Sequence, residues 1–320
     1  MINLLKQKIE EYNDIIILRH NRPDLDALGS QLGLSKTLKH NFPNKNIYVT
    51  GDMNNRLSFI GQMDEVSDET FTKSLVIICD VAVKSMMCDP RYTLAKEIFI
   101  IDHHKNLSDI TDNVIIDPTK AAAAQYIAEI LLNDWHYEIP KDAATALYGG
   151  IISDSGRFQY SDTNGSTLRT AAKLLDLGAD MHFIYDNLYV ESLESKQMKG
   201  YFSSIFKTTE NNVAYLKNTK DIFEKFPVDF FTISRGMVNV MAGIEGINIW
   251  CNFTYDPQND VIGGEFRSRG LSIVDIAKAF GGGGHDQACG ATLHSWDEVD
   301  QILEKFDQRA KEFNNGTYTK

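Results

Sequence analysis

Five aspartates and three histidines stand in four short runs: His20-Asn21-Arg22-Pro23-Asp24-Leu25-Asp26, then Asp80, then Asp102-His103-His104, then Asp154. Carboxylates and imidazoles without a thiolate suit a hard or borderline divalent cation rather than a structural zinc: manganese first, then magnesium or cobalt. So many acids aimed at one place would repel one another unless cations sat between them, and the set reads as a dinuclear metal site. Asp80, isolated between the other runs, is the candidate for a carboxylate shared by both ions. Sharing is the usual route to the roughly 3.5–4 Å spacing of two-metal phosphoryl chemistry. Such a pair would ready a water for in-line attack on phosphorus, with a nearby imidazolium stabilising the charge on the phosphoryl oxygens.

Taken singly, most runs have a plainer reading. H-x-x-P-D-x-D reads equally as a turn whose aspartates cap a helix, Asp80 as a strand-end residue, and Gly149-Gly150-Ile151-Ile152-Ser153-Asp154-Ser155-Gly156 as a glycine-rich turn. Asp102-His103-His104 resists this, because adjacent histidines after a buried strand point in different directions. The four together make the plain account untenable.

The elements that must position these residues are legible nearby. The first three runs follow apolar, β-branched stretches at 15–18, 75–78 and 98–101, which read as buried strands of a parallel sheet. The carboxyl ends of such strands line one crevice, so distant residues can converge there. From residue 6 to about 160, strand-like and helix-like segments alternate, predicting an α/β layered sheet. Short strands are expected at 47–49 and 114–116, and helices following Asp26 and over 121–132, 143–152 and 167–177. Asp154 is then expected to follow a helix. The stretch 191–204 suits a helical linker. Beyond it, strands at 212–216 and 247–255, a turn over 256–260 and a returning strand at 261–266 form a second, smaller α/β domain.

That second domain carries Gly281-Gly282-Gly283-Gly284-His285 after a helix-like segment. Four glycines let backbone N–H groups crowd an anion, and His285 adds a donor. Arg267-Ser268 and Arg269 end a strand with two guanidinium groups and a hydroxyl, chemistry suited to phosphate. Plainer readings are a flexible loop and a solvated turn. Their proximity favours a phosphate or nucleotide handle separate from the metals.

Bulk properties narrow the substrate. At 320 residues the chain can bury two cores. A formal charge of −12 argues against a sequence-independent binder of long nucleic acid; a short anionic substrate needs only a local cationic pocket. No apolar run approaches the roughly 18 residues of a membrane span, and the N-terminus lacks signal-peptide organisation. Cys79, Cys88, Cys251 and Cys289 show no C-x-x-C spacing, the pattern of reduced core thiols in a cytoplasmic protein.

The ordered set of His20, Asp24, Asp26, Asp80, Asp102-His103-His104 and Asp154, followed by Arg267-Ser268 and Gly282-Gly283-Gly284-His285, resembles the DHH phosphoesterase superfamily with its DHH-associated C-terminal domain. Length and the short linker resemble the bacterial nanoRNase branch. The resemblance implies a DHH domain over 1–190, a helical linker over 191–206 and a DHH-associated substrate-binding domain over 207–320. It implies two Mn2+ ions, one held by His20 and Asp24, the other by Asp26, His103 and Asp154, with Asp80 bridging. It gives His104 the scissile phosphate and leaving oxygen, Asp102 the orienting of a histidine, and Arg267, Ser268, Gly282, Gly283, Gly284 and His285 the substrate end. Phe266 and Arg269 depart from the family's usual residues around the Arg-Ser pair, which bears on base preference.

The implied activity is hydrolysis of short RNA, linear dinucleotides such as pApA, and 3′-phosphoadenosine 5′-phosphate (pAp). Partners are then these substrates and a second copy of the chain, with no long duplex and no membrane. The alternatives are a cyclic-di-AMP phosphodiesterase and a catalytically silent nucleotide-binding regulator. The manganese pyrophosphatases sharing the front motifs lack the glycine-histidine loop. The superfamily's large single-strand DNA exonucleases carry domains for which this chain has no room.

Overall fold

The β-branched runs pair edge to edge as one sheet. A computed structural model of the chain describes residues 1–105 and 107–319, in two units, Met1–Val190 and a second beginning at Glu191. The first unit runs α1 (Ile2–Glu11), β1 (Asp14–Leu18), α2 (Leu25–Asn41), β2 (Asn46–Val49), α3 (Asp68–Lys73), β3 (Leu75–Cys79), β4 (Glu97–Asp102), β5 (Val114–Ile116), α4 (Ala123–Glu129), α5 (Lys141–Asp154), α6 (Gly165–Asp176) and α7 (Met181–Leu188).

Its strands are all parallel, in the order β2-β1-β3-β4-β5. From β1 the chain goes to one side for β2 and returns on the other for β3. That reversal opens a crevice between β1 and β3 at their carboxyl ends. Side chains alternate across the sheet: Ile15 and Ile17 join Leu28 and Leu147 on one face, while Ile16 and Leu18 join Phe71 and Tyr92 on the other. Both faces are covered, which is why these strands read as unbroken apolar runs.

The stretch at 149–156 continues the helix expected over 143–152 instead of forming the turn of the plainer reading. Its first six residues are the end of α5, which terminates in Asp154 itself. Glycine serves helix contact there: a Cβ on Gly150 would lie 2.6 Å from Ala124 Cβ and 2.8 Å from Asp26 Oδ1, and one on Gly29 of α2 would lie 2.4 Å from the Ala146 carbonyl oxygen. Small residues on both helices therefore bring Asp26 and Asp154 to the same end of the sheet.

The second unit runs α8 (Leu193–Ile205), β6 (Lys207–Thr208), β7 (Val213–Asn218), α9 (Ile222–Lys225), α10 (Phe230–Ser234), β8 (Ile249–Asp256), β9 (Val261–Ser268), α11 (Val274–Ala279), β10 (Gly283–His285), β11 (Ala288–Leu293) and α12 (Trp296–Asn314). Its sheet has the order β10-β11-β9-β8-β7-β6, antiparallel except for the parallel pair β7 and β8. Cys251, Phe253 and Phe266 pack with Phe306 of α12 on one face. On the other, α8 sends Met198 and Phe202 against Ala214, Leu216 and Ile233, so the segment read as a linker is part of this unit's core. Among the described residues no helix is long and apolar enough to cross a membrane.

Candidate metal centre

His20 lies two residues past β1, Asp80 one past β3, and Asp102 ends β4 with His103 and His104 following. Asp24 caps α2, its Oδ1 accepting from the Ala27 N–H at 2.9 Å, and that oxygen also lies 3.8 Å from His20 Nε2. One side chain thus caps α2 and also faces the His20 imidazole. Asp26, in the first turn of α2, accepts from the amides of Ala123 at 2.7 Å and Ala124 at 2.9 Å, at the start of α4.

Donor atoms converge in three groups, each within 4.8 Å: His20, Asp24 and Asp80; Asp26, His103 and Asp154; and Asp80, Asp102, His103 and His104. Asp80 joins the sets, with Oδ2 3.4 Å from His20 Nε2 and Oδ1 3.5 Å from His103 Nε2. His103 Nε2 in turn lies 3.4 Å from Asp154 Oδ2 and 3.9 Å from Asp26 Oδ2. All the residues expected at the metals are therefore brought together.

Both inner histidines are turned the same way. His20 Nδ1 lies 2.7 Å from the Asn21 carbonyl oxygen and His103 Nδ1 3.1 Å from that of Lys120. A carbonyl only accepts, so Nδ1 carries the proton and Nε2 faces the carboxylates, the orientation a ligand histidine needs. Asp102 Oδ1 accepts from the His103 amide at 2.7 Å, the His104 amide at 3.2 Å and His104 Nδ1 at 2.8 Å. That bond to Asp102 raises the His104 pKa above the ordinary histidine value.

The electrostatics are those of an anionic pocket short of cations. Burial works to lower the His20 pKa, but hydrogen bonds to Asp24 and Asp80 outweigh it and raise it to about 10. His103 is likewise opposed by burial, yet Asp80, Asp26 and Asp154 push it to about 10. Burial first, then the charges of Asp80 and Asp154, lifts Asp26 well above the carboxylate range. Asp154 is pushed up to about 7, by burial and then by Asp80 and Asp24, against the pull of His103. Among the described residues, Asp80, with its side chain 3 % exposed, leaves Oδ1 without a hydrogen-bond partner, as does Asp102 at Oδ2. Buried, unpaired anionic oxygens are costly unless a cation compensates. Asp80 is also held at φ +59°, a left-handed backbone that a non-glycine residue adopts at a cost. These residues fit a divalent metal.

Sequence reasoning missed the scaffold of the His20 loop. Arg19 is fully buried at the end of β1, donating to the His20 carbonyl at 2.9 Å and to Asp52 Oδ1 at 3.1 Å. Asp52 Oδ2 accepts from the Arg22 amide at 2.8 Å. The available signal was an arginine continuing a buried β-branched run.

In the second unit, a cleft of about 890 Å³ is lined by Arg267 and Gly281 to Gly284, with Arg235 and Glu265. Its polar groups are largely engaged. Arg267 approaches Glu265 Oε2 at 3.3 Å and donates to the Phe266 carbonyl at 2.8 Å. Ser268 is buried, and its hydroxyl donates to the Leu271 carbonyl at 2.6 Å, closing the turn after β9. The amides of Gly281 and Gly282 donate to the Lys278 and Ala277 carbonyls, closing α11. Gly283 to His285 form an edge strand on β11 rather than an open loop. Neither Ser268 nor His285 is among the residues lining the cleft.

Comparison with known proteins sharpens this picture. Residues 14–151 match the DHH family, N-terminal domain, and residues 231–312 match the DHHA1 domain. A bifunctional oligoribonuclease and PAP phosphatase, NrnA, of Bacillus subtilis is 34% identical over 96% of this chain and 98% of its own length. The protein of the same name from Mycoplasma genitalium is 35% identical over 92% of this chain and 93% of its own. A solved exopolyphosphatase-related protein of Bacteroides fragilis shares the fold, with a TM-score of 0.84 at 24% identity over 97% of both chains.

Proposed function

The chain belongs to the DHH family, and on that footing we propose that it is a divalent-metal phosphoesterase cutting short RNA, linear dinucleotides such as pApA, and pAp to mononucleotides. One observation carries this reading: a buried aspartate, Asp80, standing between two outward-braced histidines with an oxygen no protein donor satisfies. The near-full-length relatives named oligoribonuclease and PAP phosphatase supply the substrate class.

His20, Asp24 and Asp80 would hold one ion and Asp26, His103 and Asp154 the other, with Asp80 shared and Mn2+ preferred over Mg2+ or Co2+. Bound there, the ions supply Lewis-acid polarisation of a phosphoryl oxygen and lower the pKa of water. The chain's own groups do the rest. Asn21 and Lys120 carbonyls brace the two inner histidines, and the α4 amides brace Asp26. Asp102 grips His104 at Nδ1 and favours the protonated form of that half-exposed ring, from which Nε2 would donate to the scissile phosphate or the departing oxygen. In the second unit, Arg267, Gly282, Gly283, Gly284 and His285 would bind a terminal phosphate or base of the substrate, with Ser268 setting the turn after β9 beside Arg267.

We assign 1–190 as the catalytic domain and 207–320 as the substrate-binding domain, with the helical segment 191–206 leading into it and packed in its core. The free, mostly buried cysteines fit the cytoplasm, and a homodimer is the assembly to test. A side-by-side turnover assay on pAp, pApA, cyclic-di-AMP, pyrophosphate and a labelled RNA trimer, with manganese added, tests the whole. Turnover of pAp and the linear RNAs is expected. Preference for cyclic-di-AMP would move the assignment to a cyclic-dinucleotide phosphodiesterase. Nucleotide binding without any product would leave a silent regulator.

A further inference from the structure

Beside the metal centre the first unit has a second concavity of about 420 Å³, and Asp24 borders both it and the smaller pocket holding His20, Asp80 and Asp154. Arg56, Arg157, Tyr160, Tyr189 and Asn54 line it. Arg157 lies over the Tyr189 ring, 4.9 Å from its centroid, and Arg56 donates to the Leu188 carbonyl at 3.1 Å. Among the described residues neither guanidinium is in an ion pair, unlike Arg267.

The segment presenting Arg157 is built at a cost. Gly156, Arg157 and Phe158 stand at φ 55°, 60° and 65° in succession, a left-handed run that arginine and phenylalanine rarely enter. Fully buried Ser155 enforces it. Its hydroxyl donates to the Ile151 carbonyl at 2.6 Å and accepts the Phe158 amide at 3.0 Å, while its carbonyl takes the Gln159 and Tyr160 amides at 3.0 and 3.1 Å. A Cβ at Gly156 would come within 2.5 Å of the Tyr160 ring. The run tucks Phe158 against the core but leaves Arg157 exposed and Tyr160 62% exposed on the concavity. Left-handed non-glycine residues of this kind cluster at ligand sites, and here Arg157 carries that strain to the rim of a concavity beside the metal centre.

We propose that this concavity is a subsite for a nucleotide flanking the scissile phosphate, a base stacking on Tyr160 and Arg157 while a backbone phosphate meets Arg56. Unpaired guanidinium groups beside aromatic rings suit single-stranded RNA, and the volume lies within the roughly 300–1,000 Å³ of small-ligand sites. The inference rests on the oligoribonuclease reading and deepens it. An oligonucleotide places a nucleoside on each side of the cut, whereas pAp has only one, so the subsite separates the two substrates.

The test uses the full chain loaded with manganese. Arg157→Ala and Tyr160→Ala should each lose at least tenfold more kcat/KM on an RNA trimer than on pAp, mainly through KM, with native thermal unfolding. Separately, a 2-aminopurine-containing dinucleotide with a phosphorothioate link should be quenched on binding the native protein, and the quenching should disappear in Tyr160→Ala. Equal losses on both substrates, no loss on either, or quenching unchanged by Tyr160→Ala would overturn the subsite. Displacement of the dinucleotide by inorganic phosphate as readily as by unlabelled dinucleotide would reduce it to an anion site and overturn the nucleotide assignment. If the native protein turns over neither substrate, the functional reading fails, while the quenching still judges the subsite.

Discussion

Asp80 and Asp102 in the first unit keep buried oxygens without hydrogen-bond partners among the described residues, whereas in the second unit Arg267, Ser268 and the Gly281 and Gly282 amides all have partners within the chain. One region is a charged cage that only cations complete. The other is a cleft whose donors must be released from Glu265 or from helix ends before they grip a ligand. The first therefore trades folding stability for affinity, and the second trades affinity for stability. Their responses to perturbation should differ in kind.

The hardest blow to this contrast is Asp80→Ala. Loss of the shared carboxylate should reduce kcat/KM on pAp and RNA at least about a thousandfold, ~4 kcal/mol of transition-state stabilisation. Folding should persist and bound manganese, measured by elemental analysis, should fall. Full turnover by the variant would end the bridging assignment. Next comes Gly150→Ala, whose Cβ would meet Ala124 and Asp26. Overpacking of this kind costs about 1–3 kcal/mol, visible in thermal unfolding, and displacement of Asp26 should weaken metal binding as well.

The pH dependence of the metal-free protein sharpens the comparison. Asp26 and Asp154 have raised pKa values, Asp154 to about 7 from an ordinary 3.8, and His20 and His103 are raised to about 10 from 6.5. A raised folded-state pKa gives stability that is complete below the unfolded value and lost as pH rises through the folded one. Asp154 acts between about pH 4 and 7 and the histidines between 6.5 and 10, and the raised Asp26 acts in the same direction. With chelator present, Tm should fall from pH 5 to pH 9. With manganese present, stabilisation should grow over that range, because ligands must be deprotonated to bind. A chelated protein that gains stability with pH would contradict the cage.

The smallest effects belong to the second unit. Arg267→Ala should weaken dinucleotide turnover roughly tenfold, with less change on a generic aryl phosphodiester. Glu265→Gln should act oppositely, lowering KM a few-fold by releasing Arg267 and Arg235. Equal losses on both substrates, or a raised KM in Glu265→Gln, would mean that Glu265 shapes the cleft instead of occupying its cations.

Much of the first unit is readable from local pattern. The strand at Leu75–Cys79 is legible because five consecutive apolar, mostly β-branched residues are what a doubly covered strand requires. Asp80, Asp102 and His20 are legible as site residues because they interrupt such runs where a parallel strand must end. The glycines of α5 lie in the expected helix, yet sequence alone left a glycine-rich turn open beside it, for a physical reason. Gly149 and Gly150 carry the same signature whether they permit a turn or a close helix crossing, and only the presence of α2 decides. Arg19 looked like any strand-end arginine until Asp52, 33 residues on, came to meet it.

By itself, then, the order of apolar and acidic residues determined a parallel sheet with candidate cation ligands at its strand ends, since periodicity and residue chemistry are local properties of a chain. Tertiary structure alone decided which oxygens stayed unpaired, which arginines were already engaged, and that a left-handed kink after Asp154 presents Arg157 beside the metal ligands. Those outcomes depend on what arrives from elsewhere in the chain to satisfy, or fail to satisfy, each polar group.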